Sequence, residues 1–199
     1  MSFKKILLTL SIFILLAFAV VVILNRGKIV YTGKVEFVDV DCSKKASILE
    51  RVYLNDQRIR KQDVPFREFA KVDHENQELV VSILEKCSMP TLGEVGQKQM
   101  DAIWLILQHT EKDIRKKYFP MIEEAVNTGD LSKEKYALML DRILMDEGQP
   151  QIYGSQIENG KLYRLGDPET VNERRKEMAM EPIEIYLKRF NIEFVTEKE

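Results

Sequence analysis

An uncharged run near the N-terminus most constrains what this chain can fold into. Residues 6–24 are nineteen consecutive positions without a charged side chain, and the basic pair Lys4 and Lys5 precedes them. As an α-helix this run is roughly 28 Å long, close to the bilayer's hydrocarbon thickness of about 30 Å. We therefore predict that residues 1–25 form a signal anchor, a transmembrane helix whose partner is the lipid bilayer through residues 6–24.

A cleaved signal peptide is the alternative to a retained anchor. Residues 17–19, Ala-Phe-Ala, have the small-x-small form of a cleavage site and follow a short apolar core. The apolar run continues past this site through residues 20–24, which favours the retained anchor. Cleavage would leave a secreted or periplasmic protein.

The orientation in the membrane is less constrained. Lys4 and Lys5 precede the apolar run and further basic residues follow it, so the positive-inside rule does not decide the orientation. A short basic leader before an apolar core is typical of secretion, and we expect a single-pass membrane protein with its globular domain outside the cytoplasm. There Cys42 and Cys87, the only cysteines, could form a disulfide; two unrelated thiols are an equally good interpretation.

The remainder of the chain alternates amphipathic runs with breaks. Apolar residues recur at helical spacing over residues 44–62, 73–84, 97–109, 113–127 and 133–147, and Pro182 begins a last helix. We predict a linker at residues 26–45 with room for a short strand or hairpin, a globular helical domain at 46–192 and a tail at 193–199. The fold class is mainly α, with antiparallel helical hairpins and one short β-hairpin in addition to the transmembrane helix.

Local signals set the expected helix ends. Asp73 is a good N-cap, with Asn76 three residues on, and residues 110–113 resemble a capping box that begins the next helix. Pro120 should kink or split that helix because it lacks the backbone donor and clashes with the preceding turn. Gly129 and Gly148 are suited to end two helices. Asn159-Gly160, between two extended runs, predicts a tight hairpin.

Residues 141–156 combine functional groups that ordinary packing does not require. Asp141 and Arg142 precede a helix-ending glycine, and Gln151, Tyr153 and Gln156 follow in a short extended segment. These groups could form the wall of a polar pocket. They could equally tie the hairpin to the helices in a satisfied structural network. Arg142 could clamp a carboxylate or phosphate, or pair internally with Asp141 or Asp167, and the internal pair is favoured in the absence of a ligand.

His109 and Gln108 end the helix over residues 97–109. The helix dipole favours the charged form of a histidine at this position, which suits a proton donor or an anion contact. His109 and Asp141 are the candidate catalytic residues; Gln108, Arg142, Gln151, Tyr153 and Gln156 are the candidate binding residues. A helix-end histidine bonded to backbone carbonyls is the structural alternative.

Several functional classes find no support in the sequence. The chain has no phosphate-binding glycine loop, no Gly-x-Ser-x-Gly motif and no paired His or Cys spacing of a metal site. The formal charge is only -2, with basic clusters interleaved with acids. We expect no metal, no cofactor and no nucleic-acid partner.

Several short motifs follow one another in order over about residues 46–190. They are Asp56-Gln57 with Arg60, Asp73 with Asn76, Pro90-Thr91, Val95-Gly96, Trp104-Leu105 with Gln108-His109, Phe119-Pro120, Asp141-Arg142, Gly148 to Gln156 and Arg174-Arg175. Together these motifs resemble an uncharacterised bacterial family, the domain of unknown function 6624, and Ser155 stands where the family has threonine.

The resemblance implies that the polar positions form one site, but it implies no activity or substrate. We therefore expect a membrane-anchored domain with a polar ligand-binding or catalytic pocket for an unknown small molecule or protein. The alternative is a non-enzymatic interaction or scaffold module in which the same residues are structural.

Overall fold

The computed structural model describes residues 34–195, and this part of the chain is mainly helical with one short antiparallel β-hairpin, as predicted. The helices are α1 (Lys45–Lys61), α2 (Phe66–Cys87), α3 (Leu92–Val95), α4 (Gln97–His109), α5 (Lys112–Asn127), α6 (Lys133–Asp146), α7 (Val171–Glu177) and α8 (Ile183–Lys188). The strands are β1 (Ile157–Glu158) and β2 (Lys161–Leu162), and 3₁₀ turns occupy Cys42–Lys44 and Pro168–Thr170. The predicted anchor lies outside the described residues. Within residues 34–195 no helix is long and apolar enough to cross a membrane.

The main core lies where α1, α2 and α4 meet, and α5 and α6 pack against its side. Each helix contributes an apolar stripe at helical spacing, such as Leu49, Val52 and Ile59 on α1. Burying a side chain of this size stabilises the fold by about 1.5–3 kcal/mol. The stripe on α1 also contains Asp56, which is fully buried.

A disulfide joins the start of the domain to the end of α2. Cys42 and Cys87 are bonded, with their Cα atoms 5.5 Å apart. The segment before Cys42 also lies on α2, because the Val38 amide donates to Ser82 Oγ (2.9 Å) and Lys86 Nζ donates to the Val40 carbonyl (2.7 Å). The described part of the linker, residues 34–45, contains no strand, since its backbone bonds to α2 side chains instead.

The second helix begins earlier than predicted. α2 starts at Phe66, directly after Pro65, so Asp73 lies inside the helix and does not cap it. The carboxylate of Asp73 accepts bonds from Arg60 (2.8 Å) and Gln77 (2.7 Å). The break expected at residues 89–96 contains the one-turn helix α3. A capping box between Thr91 and Glu94 begins this helix.

The start of α5 also differs from the prediction. Its N-cap is Glu111, and no side chain of the described part of the chain caps the helix. The hydroxyl of Thr110 donates instead to the Leu107 carbonyl at the end of α4 (2.8 Å). α5 is not split at Pro120, because the carbonyl that loses its donor belongs to the exposed residue Lys116 and can be hydrated.

The Asn159-Gly160 hairpin forms as predicted, with Ile157 opposite Leu162. Both turn residues have positive φ, 51° and 74°, as a type I′ turn requires. The preceding loop, residues 151–156, is not a strand. It contacts α7 through the bond of Arg175 to the Tyr153 carbonyl, and α8 through the bond of Tyr186 to the Ser155 carbonyl. Gly154 has φ +70°, and a Cβ there would lie 2.4 Å from Ile183 Cδ1. The loop therefore requires glycine at this position.

Candidate functional site

The structure divides the predicted site residues into two groups. The first group lies in the loop 151–156 and on the helix that supports it, α6. It consists of Gln151, Tyr153 and Gln156 in the loop and Asp141 on α6. Gln108, His109 and Arg142 belong to a cluster at the end of α4. We call this second set, together with Asp56, Arg60 and Arg115, whose charges act on His109, and with Asp73 and Asn76 on α2, the His109 cluster.

Asp141 is fully buried and binds the backbone of the loop. Its carboxylate accepts hydrogen bonds from the amides of Ile152 (2.8 Å), Tyr153 (3.0 Å) and Ser155 (3.0 Å). These bonds occupy most of the accepting capacity of a carboxylate. Asp141 therefore holds the loop against α6.

The two loop glutamines are bonded within the fold. Gln151 Nε2 donates to the carbonyls of Gln156 (3.0 Å) and Tyr163 (2.8 Å), and Gln151 Oε1 accepts from the Gln156 amide (2.8 Å). Gln156 Nε2 donates to the Leu138 carbonyl (3.3 Å) and to Ser155 Oγ (3.0 Å). These contacts are those of a satisfied structural network.

Tyr153 is held by the arginines of α7. Its ring is buried beside Ala137 and Met180, and its carbonyl accepts from Arg175 Nη1 (2.7 Å). Arg174 donates to the carbonyls of Ile152 (2.9 Å) and Gly166 (2.7 Å). Burial is the largest cause of the raised pKa of the Tyr153 hydroxyl. Arg174 and Arg175 on α7 thus hold the loop, in addition to Asp141 on α6.

His109 is the last residue of α4, and part of its surface is exposed. Its pKa falls to about 4, first because burial of the remaining surface disfavours the charged form. The positive charges of Arg60, Arg142 and Arg115 lower the pKa further, while Asp56 opposes them. Burial and the nearby positive charges outweigh the effect of the helix dipole, which alone would favour a charged imidazole. His109 is neutral at pH 7.

Arg60 joins two acidic side chains on the α1 and α2 side of the cluster. Its guanidinium bonds Asp56 (2.6 Å) and Asp73 (2.8 Å). The pKa of Asp73 is raised, mainly because burial disfavours its charged form, and Arg60 opposes that shift. The guanidinium of Arg60 is thus already shared between two carboxylates.

Arg115 and Arg142 lie on the α5 and α6 side of the cluster. Arg115 pairs with Asp146 and donates to the Thr110 carbonyl. Arg142 forms no ion pair or side-chain hydrogen bond with any residue between 34 and 195. Its expected internal partners are bonded elsewhere, because Asp141 binds the loop and Asp167 binds Thr170 and Arg174.

Four buried polar atoms in the cluster have no hydrogen-bond partner among the described residues. They are Asn76 Nδ2, Gln108 Oε1, Arg115 Nε and Arg142 Nε. They come from α2, α4, α5 and α6, whereas no side-chain atom of Asp141, Gln151 or Gln156 is left in this state. All four atoms belong to residues of the His109 cluster, and none belongs to the loop 151–156.

A cavity of about 320 Å³ adjoins the cluster through Asp146, the partner of Arg115. Its lining residues are Lys112, Asp113, Lys116, Ile143, Asp146 and Glu147. Two further cavities, of about 490 and 480 Å³, lie beside the hairpin and beside α8. Within residues 34–195 no three acidic, His or Cys side chains are arranged to hold a metal ion.

The sequence offered a signal for the residues that were not predicted as site residues. Asp56 interrupts the buried stripe of α1 between Val52 and Ile59, and Asn76 lies on the buried side of α2. A polar residue at a core position needs a partner or a function, because burial without a hydrogen bond is unfavourable. The same reasoning selects Gln108 on α4.

No curated protein and no solved structure is significantly similar to this chain. A family model described as "Family of unknown function (DUF6624)" matches residues 47–195, well over half of the sequence. The chain therefore belongs to the DUF6624 family of unknown function.

Proposed function

We propose that this protein is a ligand-binding domain tethered to a membrane through residues 6–24, with its site at the His109 cluster. The observation that carries the proposal is the set of four buried polar atoms, on four different helices, that have no partner among residues 34–195. Each such atom costs about 1–3 kcal/mol, and folded proteins keep few of them. A ligand would satisfy them once the side chains that cover them move to admit it.

The contrast with the loop 151–156 supports a binding role for the cluster. In the loop, Gln151 makes three hydrogen bonds through its side-chain amide. In the cluster, Gln108 is also buried but its Oε1 has no partner among residues 34–195. Two buried glutamines of one domain thus differ in the way expected of a structural residue and a ligand-binding residue.

The neutral imidazole of His109 defines what the site offers to a ligand. At pH 7 it carries one N–H donor and one nitrogen acceptor, because its pKa is about 4. It can therefore bind a hydroxyl or an amide and can accept a proton, whereas a proton-donating role would require acidic conditions. The carboxylate of Asp141 is already bonded to the loop backbone. The proposal therefore assigns a catalytic role to neither Asp141 nor His109.

The extracytoplasmic location is part of the proposal and has its own support. The Cys42–Cys87 disulfide is of the kind that persists in oxidising compartments. The nineteen uncharged residues at 6–24 are long enough for a retained anchor. Carbonate-washed membranes should keep the full chain; a native N-terminus at Val20 would instead show a secreted or periplasmic protein.

A matched pair of substitutions tests the site. Methionine has nearly the length of glutamine but no amide, so Gln108→Met should leave the stability of the unliganded protein unchanged or raise it. Gln151→Met removes three hydrogen bonds and should lower stability by about 2 kcal/mol or more. Urea unfolding of the full chain in detergent, followed by Trp104 fluorescence, measures both. Equal losses would make Gln108 architectural and leave the interaction-module hypothesis in place.

A further inference from the structure

We propose that the ligand of the His109 cluster carries a carboxylate or phosphate group that pairs with the guanidinium of Arg142. This inference rests on the proposed ligand site and specifies the chemistry of its ligand. Arg142 lies on α6, and its charge acts on both His109 and Arg115, so it belongs to the same neighbourhood.

The open guanidinium of Arg142 is the first argument. A guanidinium carries five N–H donors in a planar fork that matches a carboxylate or a phosphate. Arg142 is half-buried, its Nε is buried, and no described residue accepts a hydrogen bond from it. A partly buried cation without an internal counter-ion favours an external anion.

The second argument is that a like charge lies nearby. Arg142 lowers the pKa of Arg115, in addition to the larger effect of burial. Arg115 has a carboxylate partner in Asp146, yet its own Nε is also buried without a partner among residues 34–195. Asp146 already offsets the charge of Arg115, so the positive charge that remains for an anion in this region is that of Arg142.

The other arginine of the cluster is excluded as the anion partner by its contacts. Arg60 is bonded to both Asp56 and Asp73, so an incoming anion there would meet two carboxylates. This arrangement gives the cluster an acidic side on α1 and α2 and a basic side on α5 and α6. The anionic end of the ligand would lie on the basic side, and Gln108 Oε1 would accept from a donor elsewhere on the ligand.

Titration of the full chain in detergent with two bare anions tests the inference. Inorganic phosphate and acetate are added separately at constant ionic strength, and binding is measured by calorimetry at pH 7. We expect one or both to bind with Kd on the order of millimolar, and Arg142→Gln to weaken that binding about tenfold or more. Arg51→Gln, at an exposed position on α1, makes the same charge change and should leave the affinity as in the wild type.

The two anions also separate the possible sources of the group. Binding of phosphate alone supports a phosphorylated ligand, and binding of acetate alone supports a carboxylate. If neither anion binds the wild type, or if Arg142→Gln binds as well as the wild type, the inference is wrong.

Failure of this inference can be distinguished from failure of the ligand site. A stability-neutral Gln108→Met substitution together with absent anion binding would keep the site and remove only its anionic ligand. A Gln108→Met loss equal to that of Gln151→Met would remove the site itself.

Discussion

Asp141 and Arg142 are adjacent on α6 but act on different parts of the domain. The Asp141 carboxylate binds three backbone amides of the loop 151–156, whereas the Arg142 charge acts on His109 and Arg115. Successive residues of an α-helix are about 100° apart around its axis, so neighbours in sequence serve different surfaces. One helix thereby supports the loop on one side and supplies the His109 cluster on another.

Replacing Asp141 should destabilise the domain strongly. Asp141→Asn places an amide donor group beside the backbone N–H groups of residues 152, 153 and 155, which removes acceptors and leaves buried donors unpaired. We expect a loss of about 3 kcal/mol or more in urea unfolding. Asp63→Asn, at an exposed turn, is the control and should change stability little. Similar values for the two variants would contradict the structural role of Asp141.

His109 should make stability depend on pH in acid. Its pKa of about 4 in the folded protein lies below the ordinary value of about 6.5. Between these values the unfolded chain binds more protons, so this contribution to stability is present above pH 6.5 and is lost as the pH falls towards 4. His109→Gln should lose less stability than the wild type between pH 7 and pH 4.5.

The imidazole can also be observed directly. NMR titration should place the His109 transition near pH 4. Arg60→Gln should raise this pKa, because it removes the arginine whose charge lowers it most. A wild-type transition near pH 6.5 would contradict the structure around His109.

Gly154 should tolerate alanine less well than Gly148 does. Both glycines have φ near +70°, a conformation that costs other residues about 1–2 kcal/mol. At Gly154 a Cβ would also lie 2.4 Å from Ile183, while at Gly148 no atom of the described residues would lie within 4 Å of it. Gly154→Ala should therefore cost about 1–3 kcal/mol more than Gly148→Ala in the same unfolding assay. Equal costs would mean that Ile183 on α8 does not pack closely against Gly154.

Removing the disulfide should lower stability while keeping the helical fold. The bond closes a loop of 45 residues by sequence separation. The chain-entropy model assigns such a loop about 4 kcal/mol. Cys42→Ser combined with Cys87→Ser should show this loss in urea unfolding with an unchanged circular dichroism spectrum. Mass spectrometry after alkylation of the unreduced wild type should find no free thiol at either position.

The sequence predicted the elements whose signals are local. α4 has the bounds expected for residues 97–109, because an amphipathic run lies between two clear breaks. The hairpin follows from Asn159-Gly160, whose backbone conformation only a few residues adopt readily. The predicted start of α2 at Asp73 was wrong. The Asp73 carboxylate bonds Arg60 on α1 and does not cap the helix, and such a contact between two helices leaves no local signal in the sequence.

The set of residues that forms the site was harder to predict from the sequence. Periodicity places Asp141 and Arg142 on one helix but does not indicate which partners each residue meets. The charges of Asp56 and Arg60 act on His109 from positions far apart in the chain. The low pKa of His109 depends on these distant charges and on burial, whereas the helix dipole is the only effect visible locally.

The Cys42–Cys87 bond also has a mechanical consequence. A force applied at the N-terminal end of the domain reaches residue 42 and passes directly across the bond to residue 87, so α1 and most of α2 carry no tension. Stretching the chain from its two ends should therefore release less length than the residue count implies. The missing extension is roughly 150 Å, the span of 45 extended residues. For a domain held by a tether, this covalent route would keep Asp56, Arg60, Asp73 and Asn76 in place under load.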